Sequence, residues 1–219
     1  MRLKKGVIFI YVIVFLSIIF SFALVSARAI PPKVYSTSTI NPKFTNGEFF
    51  VNYNSAEIDR VILYYGTDPK AMNQIAKTDC ECGRNKQCSF KPDLTRFENK
   101  QITYFFVVID KKGNIGQSVL KNVKVDIIAP EIMNSNSMIS SINKNMVTFE
   151  IHVHDNNFDR IEYIDNFDSG KSIVLCKTMN SDGMCKVKKR FDKGDYNFAI
   201  TAFDKAGNSI KKALSFSVM

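Results

Sequence analysis

The chain has 219 residues, of which 45% are hydrophobic and eighteen are phenylalanine, and this is enough apolar material for one or two packed cores. Such a composition excludes a largely disordered chain. The net charge is +9, but four of the thirty basic residues lie in residues 1–29. The remaining 26 basic and 21 acidic residues leave a scattered excess of +5, which does not indicate a nucleic-acid partner.

The first predicted element is an amino-terminal membrane-targeting segment. Three basic residues within residues 2–5 precede an uncharged apolar run over residues 6–27, a pattern typical of a signal peptide or a signal-anchor helix. Small residues at 25–27 favour cleavage, whereas a run close to the roughly 20 residues that cross a bilayer favours a retained transmembrane helix. In both cases the basic residues before the run predict that the rest of the chain lies outside the cytoplasm.

The rest of the chain contains an internal repeat. "FFVNYNSAEIDRVILYY" (residues 49–65) aligns with "FEIHVHDNNFDRIEYID" (residues 149–165) without a gap, at an offset of one hundred. Farther along, "DKKGN" (residues 110–114) aligns with "DKAGN" (residues 204–208) at an offset of ninety-four. The predicted segments are therefore a signal peptide or anchor, a first domain and a second domain, at residues 1–29, 30–127 and 128–219.

Each repeat consists of predicted strands. Apolar and polar residues alternate with a period of two over residues 147–153, 196–202 and 102–108, and this period indicates strands with one buried face. Asn, Asp, Gly and Pro separate these short runs. Units of about ninety residues with this pattern predict an all-β fold of two tandem antiparallel β-sandwiches after the amino-terminal hydrophobic helix.

Two stretches carry a resemblance to a known family. "GDYNFAITAFDKAGNS" (residues 194–209) and "DIIAPEI" (residues 126–132) resemble the closing strands and the opening linker of immunoglobulin-like and fibronectin type III-like modules in bacterial and archaeal cell-surface proteins. The resemblance covers both repeats. It implies a corner tyrosine at Tyr196, where the first repeat has Ile102, and a role as spacer, adhesive surface or assembly unit.

Five cysteines in an exported chain predict disulfides before metal sites. Cys176 and Cys185 flank a turn-rich interval, which predicts a bond across the base of an edge hairpin. The repeat aligns Cys80 with Cys176 and Cys88 with Cys185, so that Cys80–Cys88 is the parallel bond and Cys82 is unpaired; a Cys82–Cys88 bond is the alternative. The C-x-C-x5-C spacing also permits zinc, although no fourth ligand is near.

Glu150, His152 and His154 are candidate metal ligands. Their spacing of two places them on one face of a strand, and Asp155 follows in the adjacent loop. Two imidazoles and a carboxylate are the minimum set for a divalent metal. The competing interpretation is that they are only the outward residues of a strand whose inward residues are apolar.

Acidic residues raise the possibility of cation sites in one group of loops and in the two DKxGN segments. Asp155, Asp159, Asp165 and Asp168 could supply oxygen ligands to calcium, although no D-x-D-x-D-G series is present. The two DKxGN segments each contain a single acid beside a lysine, and their Asp, Gly and Asn are the residues that a hairpin turn requires. We therefore expect turns at the DKxGN segments rather than cation sites.

The functional prediction is a non-catalytic protein without a cofactor, because no base is accompanied by a nucleophile and oxyanion donors. It is expected to be secreted or anchored to the cell membrane, as an adhesive, scaffolding or envelope component with an unidentified protein or surface-polysaccharide partner. One alternative is a carbohydrate- or metal-dependent ligand-binding module in which Tyr64 and Tyr65 stack on sugar rings. Another is an accessory subunit of a membrane complex, crosslinked through Cys82.

Overall fold

The computed structural model describes residues 30–165 and 171–219. The predicted membrane-targeting segment, residues 1–29, lies outside the described residues, as does Asp168. Within the two described ranges no helix is long and apolar enough to span a membrane. Strands account for nearly all the regular structure there, which confirms the predicted all-β class.

The first sandwich contains nine strands and one short 3-10 helix. Its elements are β1 (Lys33–Thr39), β2 (Phe44–Thr45), β3 (Phe49–Ser55), β4 (Arg60–Gly66), β5 (Asn73–Lys77), β6 (Gly83–Phe90), the 3-10 helix (Thr95–Phe97), β7 (Gln101–Ile109), β8 (Ile115–Gln117) and β9 (Lys121–Val125). One sheet has the order β1-β3-β6, and the other has the order β2-β9-β7-β4-β5 with β8 also paired to β7. All pairs are antiparallel except β2 with β9.

The core of the first sandwich lies between these two sheets. Strand β3 buries Phe49, Val51 and Tyr53 completely, while the residues between them are half-buried. Strand β7 alternates in the same way, and the ring of its Tyr104 packs edge-on against Phe49 at a centroid distance of 4.9 Å. The period of two in the sequence therefore corresponds to one buried face on each strand.

Over the residues that the structure describes on either side of 166–170, the second sandwich repeats this arrangement with eight strands. They are β10 (Glu131–Ile132), β11 (Ile139–Asn143), β12 (Met146–His154), β13 (Phe158–Asp165), β14 (Ser172–Cys176), β15 (Met184–Arg190), β16 (Gly194–Asp204) and β17 (Ser209–Val218). In one sheet β12 pairs with β10, β11 and β15, and the other has the order β14-β13-β16-β17. All of these pairs are antiparallel.

The two halves agree in topology as well as in sequence. Strands β3, β4, β6 and β7 of the first sandwich correspond to β12, β13, β15 and β16 of the second, and they pair in the same way. Each half has a core cluster of its own, and the two clusters share no residue. In the second cluster Phe198 lies at the centre of a group of packed rings, with Tyr163, Phe191, Tyr196 and Phe216 around it.

Candidate functional site

The predicted metal ligands lie on the outward face of β12. Ile151 and Val153 of this strand are buried in the core, so Glu150, His152 and His154 point away from it. Lys186 of β15 stands directly opposite Glu150 and forms an ion pair with it. The hydrogen bond from Lys186 lowers the pKa of the Glu150 carboxyl, so this carboxylate is already bound to a cation.

Asp155 lies beyond the end of β12 and belongs to a different environment. Its carboxylate accepts a hydrogen bond from the backbone N–H of Asn157 at 2.6 Å, and burial raises its pKa. In the described part of the chain, no three His, Cys, Asp or Glu residues are arranged to hold one metal ion. The structure thus gives Glu150 and Asp155 separate contacts of their own, apart from the two histidines. Asp159, from the predicted calcium set, pairs with Arg160.

A groove of about 670 Å³ opens beside the two histidines. His152 and His154 lie along it, together with Met133 and Asn134 from one side and Met179 and Asp182 from the other. Asn134 fixes one wall, because its amide oxygen accepts the backbone N–H of His152 at 2.9 Å and its amide nitrogen donates to the carbonyl of Glu150 at 2.7 Å. The sequence pattern singled out the histidines but neither methionine.

The linker between the sandwiches is held by two asparagine side chains. The amide of Asn157 donates to the carboxylate of Asp126 at 2.7 Å, and that of Asn208 donates to the backbone carbonyls of Asp126 at 2.8 Å and Ile128 at 3.3 Å. Asp126 is only 5% exposed. Beside these hydrogen bonds, a cleft of about 200 Å³ is lined by this part of the linker and by residues 154–157. The junction is therefore a bonded contact rather than a hydrated tether.

Both DKxGN segments form tight turns between paired strands. In the first, the backbone N–H of Gly113 donates to the carbonyl of Asp110 at 3.0 Å, and the glycine has a φ of 82°. In the second, Gly207 donates to Asp204 at 3.3 Å, with a φ of 90°. This left-handed backbone favours glycine, as the turn interpretation requires.

The two turns differ in their electrostatics. Hydrogen bonding from the Asn114 side chain lowers the pKa of Asp110. Asp204 is 2% exposed, and this burial, with the nearby carboxylates of Asp126 and Asp155, raises its pKa to about 6 although Asn208 donates to it. The same motif therefore carries a stable carboxylate in the first sandwich and a titratable group at the junction.

The cysteines form two disulfides, Cys80–Cys88 and Cys176–Cys185, and Cys82 is an exposed free thiol. These are the pairs that the repeat predicts. The predicted edge hairpin is wrong, however, because β14 pairs with β13 and β15 pairs with β12. The Cys176–Cys185 bond joins the two opposed sheets, since its cysteines belong to strands that are not hydrogen-bonded to each other.

This arrangement predicts the thiol reactivity of the native protein. A maleimide reagent is expected to modify one thiol per chain, at Cys82, and to modify none in Cys82→Ser, because a disulfide sulfur has no thiolate to react. Intact mass before and after reduction measures this: unfolding without reductant should still give one adduct, and unfolding with reductant should give five. Labelling of native Cys82→Ser, or a Cys82–Cys88 peptide in a non-reducing digest, would contradict the pairing.

The tyrosines have mostly structural roles. The hydroxyl of Tyr196 donates to the backbone carbonyl of Asp192 at 2.9 Å, which is the geometry of a tyrosine corner. Tyr65 is 9% exposed and belongs to the first core, so the predicted sugar-stacking role of this residue is wrong. Tyr64 faces outward and stacks on Phe105 at a centroid distance of 4.8 Å.

No protein-family model matches the chain, and no curated protein sequence does so. Solved structures do. The chain is similar to the FN1–FN3 domains of chicken CNTN1, with 13% identity and a TM-score of 0.52 over 87% of this chain and 69% of that chain. It is also similar to fibronectin(III)-like modules of Clostridium thermocellum CbhA, with 10% identity and a TM-score of 0.46 over 85% of this chain and 93% of that chain.

The fold is therefore that of tandem fibronectin type III-like modules, as the resemblance implied. At this level of identity the likeness defines the fold and nothing finer. The two disulfides indicate the cellular compartment, because such bonds persist outside the reducing cytosol. The disulfides, rather than the likeness, therefore indicate an extracellular domain.

Proposed function

We propose that the protein is a non-catalytic scaffold at the cell surface, in which two stiffly joined sandwiches hold a binding surface at a fixed distance and orientation. The observation that carries this proposal is the junction. Asn157 and Asn208 bind the linker from the second sandwich, and Asp126 is buried between them. A linker that served only as a flexible tether would leave these polar groups to water.

Adhesive and envelope roles are the forms of this function that suit an exported pair of sandwiches. A retained amino-terminal segment would fix the scaffold to the membrane, and a cleaved one would leave it free to bind a surface polysaccharide or a protein. The carbohydrate-binding alternative is weakened by the burial of Tyr65, because this leaves Tyr64 without its predicted partner in stacking.

The stiffness can be tested with a matched pair of variants. Asn208 and Asn114 occupy the same position in the two turns, and each donates to the aspartate of its own turn at 2.7 Å. Only Asn208 also binds the linker. We expect Asn208→Ala to loosen the junction and Asn114→Ala to leave it intact, although both remove one turn hydrogen bond of about 1 kcal/mol.

The measurement is a distance distribution between spin labels in the full chain in detergent. One label is placed on the native Cys82 of the first sandwich, and the other on Lys211→Cys, an exposed position on β17. The parent and Asn114→Ala should each give one narrow distribution, and Asn208→Ala a distribution at least twice as broad. A broad distribution in the parent, or equal broadening by both variants, would show that the asparagine clamp does not stiffen the junction.

A further inference from the structure

The outward faces of β12 and β15, together with the turn that follows β10, carry neighbouring sulfur and imidazole groups. His152 of β12 stands directly opposite Met184 of β15. On the other side, the backbone N–H of Met133 donates to the carbonyl of His152 at 2.9 Å, which places Met133 next to His152 at the end of β10. The histidine is thus flanked by a methionine on each side.

The direction of these three side chains follows from their buried neighbours. Ile132, Ile151 and Cys185, each adjacent in sequence to a member of the row, are in the core. Because successive residues of a strand point to opposite faces, His152 and Met184 share the outward face. Met133, in the turn directly after β10, lines the groove beside His152. Met133 is 62% exposed, so its thioether sulfur is accessible to an ion from solvent.

The spacing suits a common ligand. Residues directly opposite each other on antiparallel strands have Cβ atoms about 4.5–5.5 Å apart, and methionine has three rotatable bonds with which to turn its sulfur toward a shared point. His154 lies two residues along the same face, and both histidines line the groove of about 670 Å³. Met133 lines the same groove, whereas Met184 follows its lining residue Gly183 and stands beside His152 in register. An ion bound at His152 therefore has one methionine on each side.

The backbone that carries these donors is well braced. The amide oxygen of Asn180 accepts the backbone N–H groups of Asp182 and Met184, at 3.0 and 2.9 Å. The N–H of Val153 then donates to the carbonyl of Gly183 at 2.9 Å, which ties this loop to β12. With Asn134 bound to the other edge, both walls are fixed before any ligand arrives.

The donor types select the metal. Thioether sulfur is a soft ligand that favours Cu(I), and imidazole is compatible with it, whereas calcium requires many oxygens and structural zinc prefers thiolate or several imidazoles. The one carboxylate of β12, Glu150, is already paired with Lys186. We propose that Met133, His152 and Met184 bind a single Cu(I) ion, with His154 as an additional ligand. This proposal is independent of the scaffold function.

The test is a Cu(I) titration of the full chain in detergent, under anaerobic conditions with ascorbate, against a chromophoric Cu(I) chelator. Every variant carries Cys82→Ser, because a free thiolate would itself bind Cu(I). The parent should bind one Cu(I) per chain, with sulfur and nitrogen neighbours in X-ray absorption. Met184→Leu and His152→Ala should each raise the dissociation constant at least tenfold.

The matched control is Met146→Leu. Met146 lies on the same outward face of β12 at the opposite end of the strand, and leucine keeps the volume of methionine while it removes the sulfur. This variant should bind within twofold of the parent. Absence of binding in the Cys82→Ser parent, equal affinity of Met184→Leu and Met146→Leu, or equally tight binding of Zn(II) would each overturn the proposal. Thermal unfolding of each variant shows that lost binding is not lost folding.

Discussion

Replacement of Phe198 by alanine is expected to lower the free energy of unfolding of the second sandwich by about 3–5 kcal/mol. Phe198 is fully buried on β16, and its ring stacks on Tyr163 at a centroid distance of 4.5 Å. It also meets Phe191 and Phe216 at 5.5 and 5.4 Å. The truncation leaves a cavity among large rings that are held by several strands, so collapse around it is limited.

Phe203→Ala is the matched control, because Phe203 lies on the same strand but points outward, under the guanidinium of Arg160 at 4.2 Å. Its loss should cost about 1 kcal/mol or less. Chemical denaturation of both variants measures the difference. Because the first sandwich has a separate core, Phe198→Ala should unfold in two transitions. The transition of the second sandwich should shift to lower denaturant concentration, and that of the first should stay where it is in the parent protein. A single transition shifted by less than about 1 kcal/mol would contradict this account of the core.

Local sequence patterns predicted much of this fold. The alternation over residues 147–153 identified the strand and its buried face, because one side of an antiparallel sheet meets the core. The repeat then transferred that assignment to residues 49–55, and it paired Cys80 with Cys88 by analogy with Cys176 and Cys185. The DKxGN turns were also predictable, since a tight turn depends on only four or five neighbouring residues.

What the sequence did not predict depends on contacts between distant segments. Glu150 is a candidate metal ligand in the sequence because nothing there places the strand of Lys186 beside it. Met133 was overlooked because a two-residue strand at the end of the linker gives no periodic signal. For the same reason the predicted hairpin at Cys176 is wrong, because the sequence between two strands does not reveal that they belong to opposite sheets.

The raised pKa of Asp204 also depends on contacts between distant segments, so the sequence did not predict it. Titration of Asp204 is expected to make the stability of the protein depend on pH. Its pKa is raised to about 6 in the folded state, against a usual value of 3.8, so the folded protein holds the proton more tightly than the unfolded chain. This contribution to stability is fully present below the usual pKa and is lost as the pH rises through about 6. Asp155, whose pKa is also raised, acts in the same direction.

The expected size for Asp204 is about 2 kcal/mol of stability lost between about pH 4.5 and about pH 7.5. Asp204→Asn removes the ionisation and should flatten the pH dependence by that amount, measured as denaturant unfolding at both pH values. The control is Asp110→Asn in the equivalent turn. Because the pKa of Asp110 is lowered, its contribution is present above its usual pKa and is lost only as the pH falls below that value.

Asp110→Asn should therefore destabilise the protein by the same amount at both pH values, leaving the dependence of the unfolding free energy on pH unchanged. If the dependence of the unfolding free energy on pH is unchanged in Asp204→Asn, ionisation of Asp204 costs little in the folded protein. In that case the linker does not raise the pKa of Asp204. If the pH dependence of the unfolding free energy does flatten, the comparison of two turns with equivalent Asp, Gly and Asn residues isolates the cause. The excess proton affinity then arises from the packing of the second turn against Asp126 and the linker, which the first turn lacks.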